Sequence, residues 1–289
     1  MRRFTETGKA KDNWGGPPRT VTHRVIEFDN FTEFLKQAET ERPGLRDRDR
    51  SSRNEGHEGS FYHHESWQEM LVKAHTGSPE LVARAQAIKD RCVKDVGRAM
   101  PQRLYERRDD GGLFFDAGLV AEGQPDVWLQ PMDSVNVEQQ AIRLVYNCSV
   151  SCGATVETLL ERGAGFMALA QLLQMQGRNV EIWVTRSADF NGTKHEVRVK
   201  VKDIGADGQD DQLAFVLVSP DMLRRLCFSI EELEDLSGAR QGGGYGAPCE
   251  CLLQGEVTVQ HRYGAGGINE WVKEQLDKLV NAEDEFAGQ

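Results

Sequence analysis

The sequence predicts an α/β fold with a mixed, partly parallel sheet that is flanked by helices. Apolar, strand-like segments alternate with longer segments of helical periodicity, most regularly over residues 142–184. The 289 residues are 39% hydrophobic and 28% charged, so the chain can bury one substantial core. We expect a single domain over 25–280, preceded by a flexible N-terminal arm at 1–24 and followed by an acidic C-terminal tail at 281–289.

The N-terminal elements follow from local signals. Residues 1–24 contain Gly15-Gly16-Pro17-Pro18 and few apolar side chains, which indicates an arm whose order depends on docking elsewhere. Val25 to Phe28 predicts a strand, and Asn30 begins a short helix through Leu35. Residues 42–59 are almost entirely polar, so we expect a mobile basic loop there.

Two helices and a βαβ unit follow. Ser66-Trp67-Gln68-Glu69 is a capping pattern that begins one helix, and a second helix spans 80–97. The segments 142–146 and 180–184 are apolar enough for buried parallel strands, and 156–176 between them has the length of a crossover helix.

The last third of the chain continues the sheet. Residues 195–202 alternate valines with Glu196, Arg198, Lys200 and Lys202, which predicts a half-exposed strand with its charges in solvent. The other predicted elements are a buried strand at 213–218, a helix at 220–225, a glycine loop at 242–246, a short strand at 257–259 and a final helix at 268–280.

Several functional classes find no support in the sequence. The chain has no apolar run of the ~20 residues that a membrane span needs and no signal-peptide pattern, so we expect a cytoplasmic protein without membrane contact. The six cysteines are too sparse for a disulfide scaffold and are expected to be free thiols. Paired zinc-ligand histidines, a nucleophile elbow and a phosphate loop are all missing from the sequence. We therefore predict no catalytic residues, no cofactor and no metal.

The loop after the 142–146 strand has two interpretations. Asn147-Cys148-Ser149-Val150-Ser151 resembles the metal-ion-dependent adhesion loop of von Willebrand A-type domains. Asn147 stands where that loop has Asp, which removes the charge that a hard divalent cation needs most. The alternative, which we favour, is a strand-to-helix turn whose Asn and Ser side chains cap the following helix.

Basic residues cluster beside aromatic ones although the net charge of the chain is −11. Arginines that neutralise phosphates, interleaved with aromatics that stack on bases, are what a single-strand binder needs. The alternative is a solvated surface, because Arg46-Asp47-Arg48-Asp49-Arg50 alternates in sign and can neutralise itself. The predicted nucleic-acid-binding residues are Arg46, Arg48, Arg50, Arg53, Phe61, Tyr62, Arg103, Arg107, Arg108, Arg198, Lys200, Lys202, Arg240, Tyr245, Arg262 and Tyr263.

The C-terminal residues 270–289 are acidic and contain Phe286 near their end. Such tails resemble those with which single-stranded-DNA-binding proteins recruit partners and occupy an empty DNA groove. The alternative is a soluble, frayed terminus.

Two resemblances cover more of the chain. Over residues 60–230, elements such as Ser66-Trp67-Gln68-Glu69, Pro125-Asp126-Val127 and Arg162-Gly163-Ala164 resemble an uncharacterised family of bacterial viruses and actinobacteria. Together with the arginine-aromatic loops and the tail, the chain is similar to the single-stranded-DNA-binding RNA polymerase cofactors of N4-like bacterial viruses.

The second resemblance implies a function. Such a cofactor would grip locally melted middle promoters in the host cell cytoplasm and recruit the viral RNA polymerase, with self-association on the DNA. A von Willebrand A-like protein-interaction adaptor without DNA affinity is the rival hypothesis. A structural virus protein that binds neighbouring subunits through its arm and tail is a third.

Overall fold

The computed structural model describes residues 1–10, 17–40, 51–53, 66–97, 105–108, 114–115, 128–131, 141–151, 153–175, 178–190, 192–204, 210–234, 245–260 and 267–287. Its strands form a seven-stranded mixed sheet and a three-stranded antiparallel sheet. The strands are β1 (Arg2–Ala10), β2 (Arg19–Phe28), β3 (Tyr105–Arg108), β4 (Phe114–Phe115), β5 (Trp128–Pro131), β6 (Ile142–Asn147), β7 (Val180–Phe190), β8 (Thr193–Lys202), β9 (Ala247–Pro248) and β10 (Val257–Val259).

The large sheet has the order β1-β2-β8-β7-β6-β10, and β9 pairs with the distal end of β7. Three neighbouring pairs are parallel, namely β2 with β8, β7 with β6, and β6 with β10. The pairs β1–β2 and β7–β8 are antiparallel. The small sheet has the order β3-β5-β4. The mixed, partly parallel sheet that the sequence predicts is therefore confirmed.

Helices pack against one face of the large sheet. A π-helix, Met222–Cys227, continues directly into the last but one α-helix, and a single 3₁₀ turn lies at Ser51–Arg53. No helix in the described ranges is long and apolar enough to cross a membrane. The α-helices are α1 (Phe31–Ala38), α2 (Trp67–Thr76), α3 (Pro79–Gly97), α4 (Val156–Met175), α5 (Asp210–Val218), α6 (Phe228–Leu233) and α7 (Ile268–Ala287).

The main core lies between the helices and the sheet. Leu144, Ile182 and Val199 point from three strands into one apolar cluster that also contains Phe166 of α4 and Phe215 of α5. Side chains alternate along a strand, so the neighbours of these residues face the opposite side of the sheet. That side carries a smaller apolar cluster around Val145, Trp183 and Cys251, beside many charged residues.

Several predicted elements are confirmed. The strands β6 and β7 flank α4 and pair in parallel from Ile142 opposite Val180 onward. The two capping patterns also form as expected. Asn30 Oδ1 accepts a hydrogen bond from the Glu33 amide at 2.8 Å, and Ser66 Oγ accepts one from the Glu69 amide at 3.1 Å.

The strand predicted at 213–218 is wrong, because these residues form most of α5. A short apolar run fits a buried strand or a buried helix equally well, and tertiary packing decides between them. Here α5 packs among α2, α3, α4 and β8. Gly163 lets α4 approach α5 closely, since a Cβ at that position would lie 2.5 Å from the Leu217 carbonyl oxygen.

The first residues of the chain join the large sheet, although the sequence predicts a flexible arm before a domain that begins at residue 25. Arg2–Ala10 docks as β1 on Arg19–Phe28, and β2 in turn pairs with β8. Main-chain pairing needs no apolar side chains, so a polar segment can complete a sheet. At the other end of the chain, the helix predicted over 268–280 extends to Ala287 and takes in most of the acidic tail. Of the predicted basic loop, only 51–53 lies within the described residues.

Candidate nucleic-acid interface

The predicted nucleic-acid-binding residues are distributed unevenly in the structure. Arg107 and Arg108 lie in β3, where they pair with Leu129 and Trp128 of β5. Five others are in the large sheet or beside α1 and α6, namely Arg53, Arg198, Lys200, Lys202 and Tyr245. The residues that lie outside the described ranges are Arg46, Arg48, Arg50, Phe61, Tyr62, Arg103, Arg240, Arg262 and Tyr263.

Arg198 is buried, so the prediction of a half-exposed charged strand is wrong for this part of β8. Only 3% of Arg198 is exposed. Its Nη1 lies 2.7 Å from Glu6 Oε2 and 3.7 Å from Glu27 Oε2, and its Nε donates to Glu196 Oε1 at 2.7 Å. Carboxylates from β1 and β2 thus neutralise the guanidinium, which is not available to a phosphate.

Glu196 is the centre of this buried network. Its Oε1 accepts from Arg198 and from the Leu253 amide at 3.1 Å, and its Oε2 accepts from the Leu252 amide at 2.7 Å and from His23 Nδ1 at 2.9 Å. Burial opposes ionisation of Glu196, but the hydrogen bond from His23 and the charge of Arg198 outweigh it and lower the pKa of the carboxyl. The carboxylate therefore ties β8 to β2 and to the segment after β9.

The two lysines farther along β8 are partly buried. Lys200 Nζ lies 3.0 Å from Asp203 Oδ1 and 4.0 Å from Glu181 Oε1, and it lies 5.5 Å from the centre of the Trp183 ring. Lys202 ends the strand with intermediate exposure. This strand face is balanced by acids and carries no excess of positive charge in the described part.

Arg53 stabilises the junction of two helices. Its Nη2 donates to the carbonyl oxygens of Ala38, Glu39 and Thr40 at 3.0, 3.1 and 3.0 Å, at the carboxyl end of α1. Its guanidinium also lies 4.6 Å from the centre of the Trp67 ring. A cation is favourable at the carboxyl end of a helix, so Arg53 has a structural role at the end of the predicted basic loop.

The ends of two predicted binding loops meet at Glu232. Ser52, which lies between Arg50 and Arg53 of the 42–53 segment, donates to Glu232 from its amide at 3.1 Å and from its hydroxyl at 2.6 Å. Tyr245, at the end of the 240–246 glycine loop, donates its phenol hydroxyl to the same carboxylate. Arg225 Nη1 donates to the Ser52 carbonyl at 3.2 Å. Segments almost 200 residues apart in sequence therefore end on one buried side chain.

The Tyr245 ring has one face occupied. It stacks on Phe228 with 3.6 Å between ring centroids and 2° between ring planes. The next residue, Gly246, has φ +73, and a Cβ there would lie 2.8 Å from the Asp189 carbonyl oxygen, so only glycine fits. The backbone thereby turns directly into the pairing with β7.

A buried arginine extends the network from Tyr245 to the loop after β6. Arg186 Nη2 donates to the Tyr245 carbonyl, and Nη1 donates to the Ser187 carbonyl at 2.8 Å and to Ser149 Oγ at 3.3 Å. Its Nε lies 3.5 Å from Glu231 Oε1. A single guanidinium therefore connects β7, α6, the glycine loop and the Ser149 loop.

The same network reaches the start of the third predicted loop. Ser149 donates its amide to Asn147 Oδ1 at 3.1 Å, and Asn147 Nδ2 donates to Gln260 Oε1 at 3.2 Å and to the Cys249 carbonyl at 2.9 Å. Arg162 Nη2 donates to the Gln260 carbonyl at 2.7 Å. Gln260 precedes the 262–263 segment. The described ends of all three predicted loops thus lie on one connected set of hydrogen bonds.

The Asn147 loop does not present the ligand set that a metal site needs. Asn147 and Ser149 are buried and bonded to backbone groups, whereas Ser151 is exposed and accepts from the Gly153 amide at 3.4 Å. Among the described residues, no cluster of three or more potential metal ligands occurs. The capping interpretation also needs correction, because Thr155 is the residue that accepts from the helix, at 3.2 Å from the Thr158 amide.

Two thiols lie beside this network. A hydrogen bond between Cys148 and Cys227 lowers the pKa of Cys148, and burial raises the pKa of Cys227. The described cysteines, which are all buried and in no disulfide, are Cys92, Cys148, Cys227, Cys249 and Cys251.

A basic cavity that sequence reasoning missed adjoins the Glu232 junction. It has a volume of about 370 Å³ and lies on the face of β1 and β2 that also carries Ile26. Arg3, Arg24 and His195 line it, together with the carboxylate of Glu234. Burial and the charge of Arg24 lower the pKa of His195 to about 4, so its ring is neutral at neutral pH. The cavity depends on the pairing of β1 with β2, which places Arg3 opposite Ile26 and which no local sequence pattern specifies.

One known family matches this chain. The family model described as "Domain of unknown function (DUF7192)" matches residues 8–278. The chain belongs to the DUF7192 family. No curated protein and no solved structure matches the chain. The DUF7192 match takes in Glu196, Arg198, the Glu232 junction and the cavity residues Arg24 and His195, while Arg3 and Glu6 precede it.

Proposed function

We propose that this DUF7192 chain binds single-stranded DNA through its 42–53, 240–246 and 262–263 segments. The supporting observation is the hydrogen-bonded network that joins Ser52, Tyr245 and Gln260 through Glu232, Arg186 and Asn147. The described ends of the segments that carry arginines and aromatics are thereby linked through one set of side chains. We infer that a single strand contacts all three segments.

The chemistry of the three segments suits a single strand. Arg46, Arg48 and Arg50 would neutralise backbone phosphates, and Tyr263 would stack on a base. Tyr245 contributes at most one ring face, since Phe228 covers the other. Because neither interaction reads the edge of a base, sequence preference should be slight.

The resemblance to the polymerase cofactors of N4-like bacterial viruses extends the proposal. The bound strand would be locally melted middle-promoter DNA, and the partner would be the viral RNA polymerase in the host cytoplasm. A pull-down of that polymerase by the full chain, with and without a bubble-containing promoter fragment, tests this step. Capture that is absent in both cases would contradict recruitment while leaving DNA binding intact.

The first test is fluorescence anisotropy with labelled single-stranded and duplex oligonucleotides at several salt concentrations, with and without chelator. We expect salt-sensitive, chelator-independent binding that favours the single strand. Each phosphate contact contributes a slope of about −0.7 to log K against log salt for single strands. The triple substitution Arg46→Ala, Arg48→Ala and Arg50→Ala should therefore flatten the slope by about 2.

A matched control removes the same charge elsewhere. Arg84→Ala, Arg91→Ala and Lys94→Ala take three exposed cations from α3 and should leave the slope unchanged. Equal flattening by both triple variants would remove the 42–53 segment from the interface. No binding of the unmodified chain even at low salt would overturn the proposed function, and Mg²⁺-dependent partner binding would favour the adaptor hypothesis.

A further inference from the structure

The cavity beside β1 has an excess of positive charge that nothing in the fold requires. Arg3 and Arg24 are exposed cations at its wall. Glu234 is the one carboxylate among the described residues that line it, and it accepts from Arg3 Nε at 3.1 Å and from Nη2 at 3.0 Å. Two cations against one carboxylate leave the cavity with a net positive charge, and Arg3 keeps 51% of its side chain exposed.

His195 adds a polar group with an unmet hydrogen bond. Only 6% of the residue is exposed, its ring lies edge-on to Phe190 at 5.5 Å, and Nε2 has no partner among the described residues. A buried polar atom without a partner is unfavourable unless a ligand or water supplies one. Since the residue lines the cavity, a bound group can provide the missing hydrogen bond.

The set of donors favours one kind of ligand. Two guanidinium groups can each offer a pair of parallel N–H donors to an oxyanion, and the Thr5 hydroxyl adds a neutral donor at the same wall. A volume of about 370 Å³ is within the range of small-ligand sites, roughly 300–1,000 Å³. Tetrahedral oxyanions with several acceptor oxygens match this geometry best.

We propose that the cavity lined by Arg3, Arg24 and His195 binds a phosphate group, carried either by a free nucleotide or by the backbone of a single strand. The backbone source rests on the proposed function, whereas the nucleotide source does not. The cavity adjoins the Glu232 junction, because Glu234 follows two residues after Glu232 and pairs with Arg3. A strand on the three loops could therefore continue into it.

The test is NMR of the histidine ring C–H resonances in the full chain, with the His195 signal assigned by its loss in His195→Gln. The probes are thymidine monophosphate, inorganic phosphate, thymidine and an oligothymidylate. We expect a saturable shift of the His195 resonance with both phosphate-bearing small molecules and none with thymidine. The variant Arg24→Gln should weaken the binding of thymidine monophosphate at least tenfold.

The matched control is Arg2→Gln. Arg2 is adjacent to Arg3 on the same strand and is also exposed, but it points to the other face, where it pairs with Glu27 and with Asp29 at 3.2 Å. This variant loses the same charge and should bind within twofold of the unmodified chain. Equal weakening by both variants would overturn the proposal, because it would show attraction by overall charge.

The remaining outcomes separate the cavity from the proposed function. No shift of the His195 resonance with either phosphate-bearing small molecule overturns the cavity proposal. A second outcome is that oligothymidylate binds without displacing thymidine monophosphate, and that its affinity is unchanged in Arg24→Gln. This result overturns the backbone source and supports the nucleotide source. A third outcome is that thymidine monophosphate binds and the oligonucleotide does not. This result supports the cavity proposal and overturns the single-strand function.

Discussion

The two faces of the sheet at β2 and β8 differ in how their charged side chains are buried and paired. His23 and Glu196 point to one face, and their chain neighbours Arg24 and His195 point to the other. On the first face the charges are buried and paired with one another. On the second face they surround an open cavity of about 370 Å³.

This difference shows that burial alone does not separate structural from binding residues. His23 and His195 are both buried, and each has an Nε2 without a partner among the described residues. The surroundings distinguish them, because the Glu196 carboxylate holds His23 in place while His195 faces cations and open space. The excess of unpaired charge next to accessible volume is what identifies a candidate ligand site.

The largest expected effect comes from disrupting the buried ion pairs on the sheet face that carries His23 and Glu196. Glu196→Gln places an amide N–H₂ against donors that now bond to a carboxylate, and it takes from buried Arg198 the carboxylate that accepts from its Nε, so that only Glu6 and Glu27 remain to neutralise the guanidinium. We expect a loss of about 3–5 kcal/mol in the free energy of unfolding, measured by urea denaturation. The exposed control Glu80→Gln should change it by less than about 0.5 kcal/mol. A loss below about 1 kcal/mol at Glu196 would contradict the role of the network.

A second, smaller effect extends the comparison to the loop after β6. Ser149 Oγ accepts from the Ser187 amide at 2.8 Å and donates to the Ser187 carbonyl at 2.9 Å. Ser149→Ala should lower the free energy of unfolding by about 1–3 kcal/mol, and the exposed Ser151→Ala should leave it unchanged. If thermal unfolding with and without Mg²⁺ shows metal-dependent stability that both variants abolish, the loop is a metal site instead.

Acid should weaken the fold through His195. Its pKa is near 6.5 in the unfolded chain and about 4 in the folded chain. Between these values the unfolded state binds a proton that the folded state excludes. The free energy of unfolding is therefore unaffected by His195 above about pH 6.5 and falls as the pH approaches 4. The contribution to the slope is at most about 1.4 kcal/mol per pH unit.

Denaturation series from pH 7.5 to 4 check this dependence. His195→Gln should flatten the upper part of the profile, while the loss that comes with Glu196 begins at lower pH. The unfolded chain protonates a glutamate only at about pH 4.3, and the loss continues as the pH falls toward the lowered pKa of the folded carboxyl. Identical profiles for the variant and the unmodified chain would show that His195 titrates normally in the folded state.

The smallest expected effect lies on the open face. Arg24 is exposed, so Arg24→Gln should alter the free energy of unfolding by less than about 0.5 kcal/mol, although it removes a cation next to His195. Parallel urea titrations of this variant and Glu196→Gln measure the contrast directly. Destabilisation above about 1 kcal/mol would mean that Arg24 supports the fold and that the two faces are more alike than we infer.

The predictable part of the fold is the part with local signals. The strands β6 and β7 with α4 between them have the lengths and apolar patterns of a βαβ unit, and Asn30 and Ser66 carry their own capping patterns. The helix α5 could not be recognised, because a short apolar run has no period that separates it from a strand.

The burial of Arg198 could not be predicted for a different reason. Alternation along β8 identifies a charged face but not what covers it. The cover comes from Glu6 and Glu27, which lie more than 170 residues earlier in strands β1 and β2. Because the first residues were interpreted as an arm, their carboxylates were missing from the prediction, and the strand face appeared exposed.

The candidate interface was predictable in composition only. Arginines and aromatics in the 42–53 and 240–246 segments are visible in the sequence. Their convergence depends on Glu232 and Arg186, which carry no motif and act through contacts that are distant in sequence. The cavity depends likewise on the pairing of β1 with β2, which no local pattern specifies.

That pairing has a consequence for the chemistry of the molecule. Arg2 stands opposite Glu27 and Ala10 opposite Arg19, without a bulge between them. A slip of the hairpin by one residue would turn every β1 side chain to the opposite face, with Phe4 directed into the cavity and Arg3 directed toward Glu27. The alignment of one peripheral strand therefore decides which cations face the cavity, and a ligand-binding assay also reports whether the N-terminus is in register.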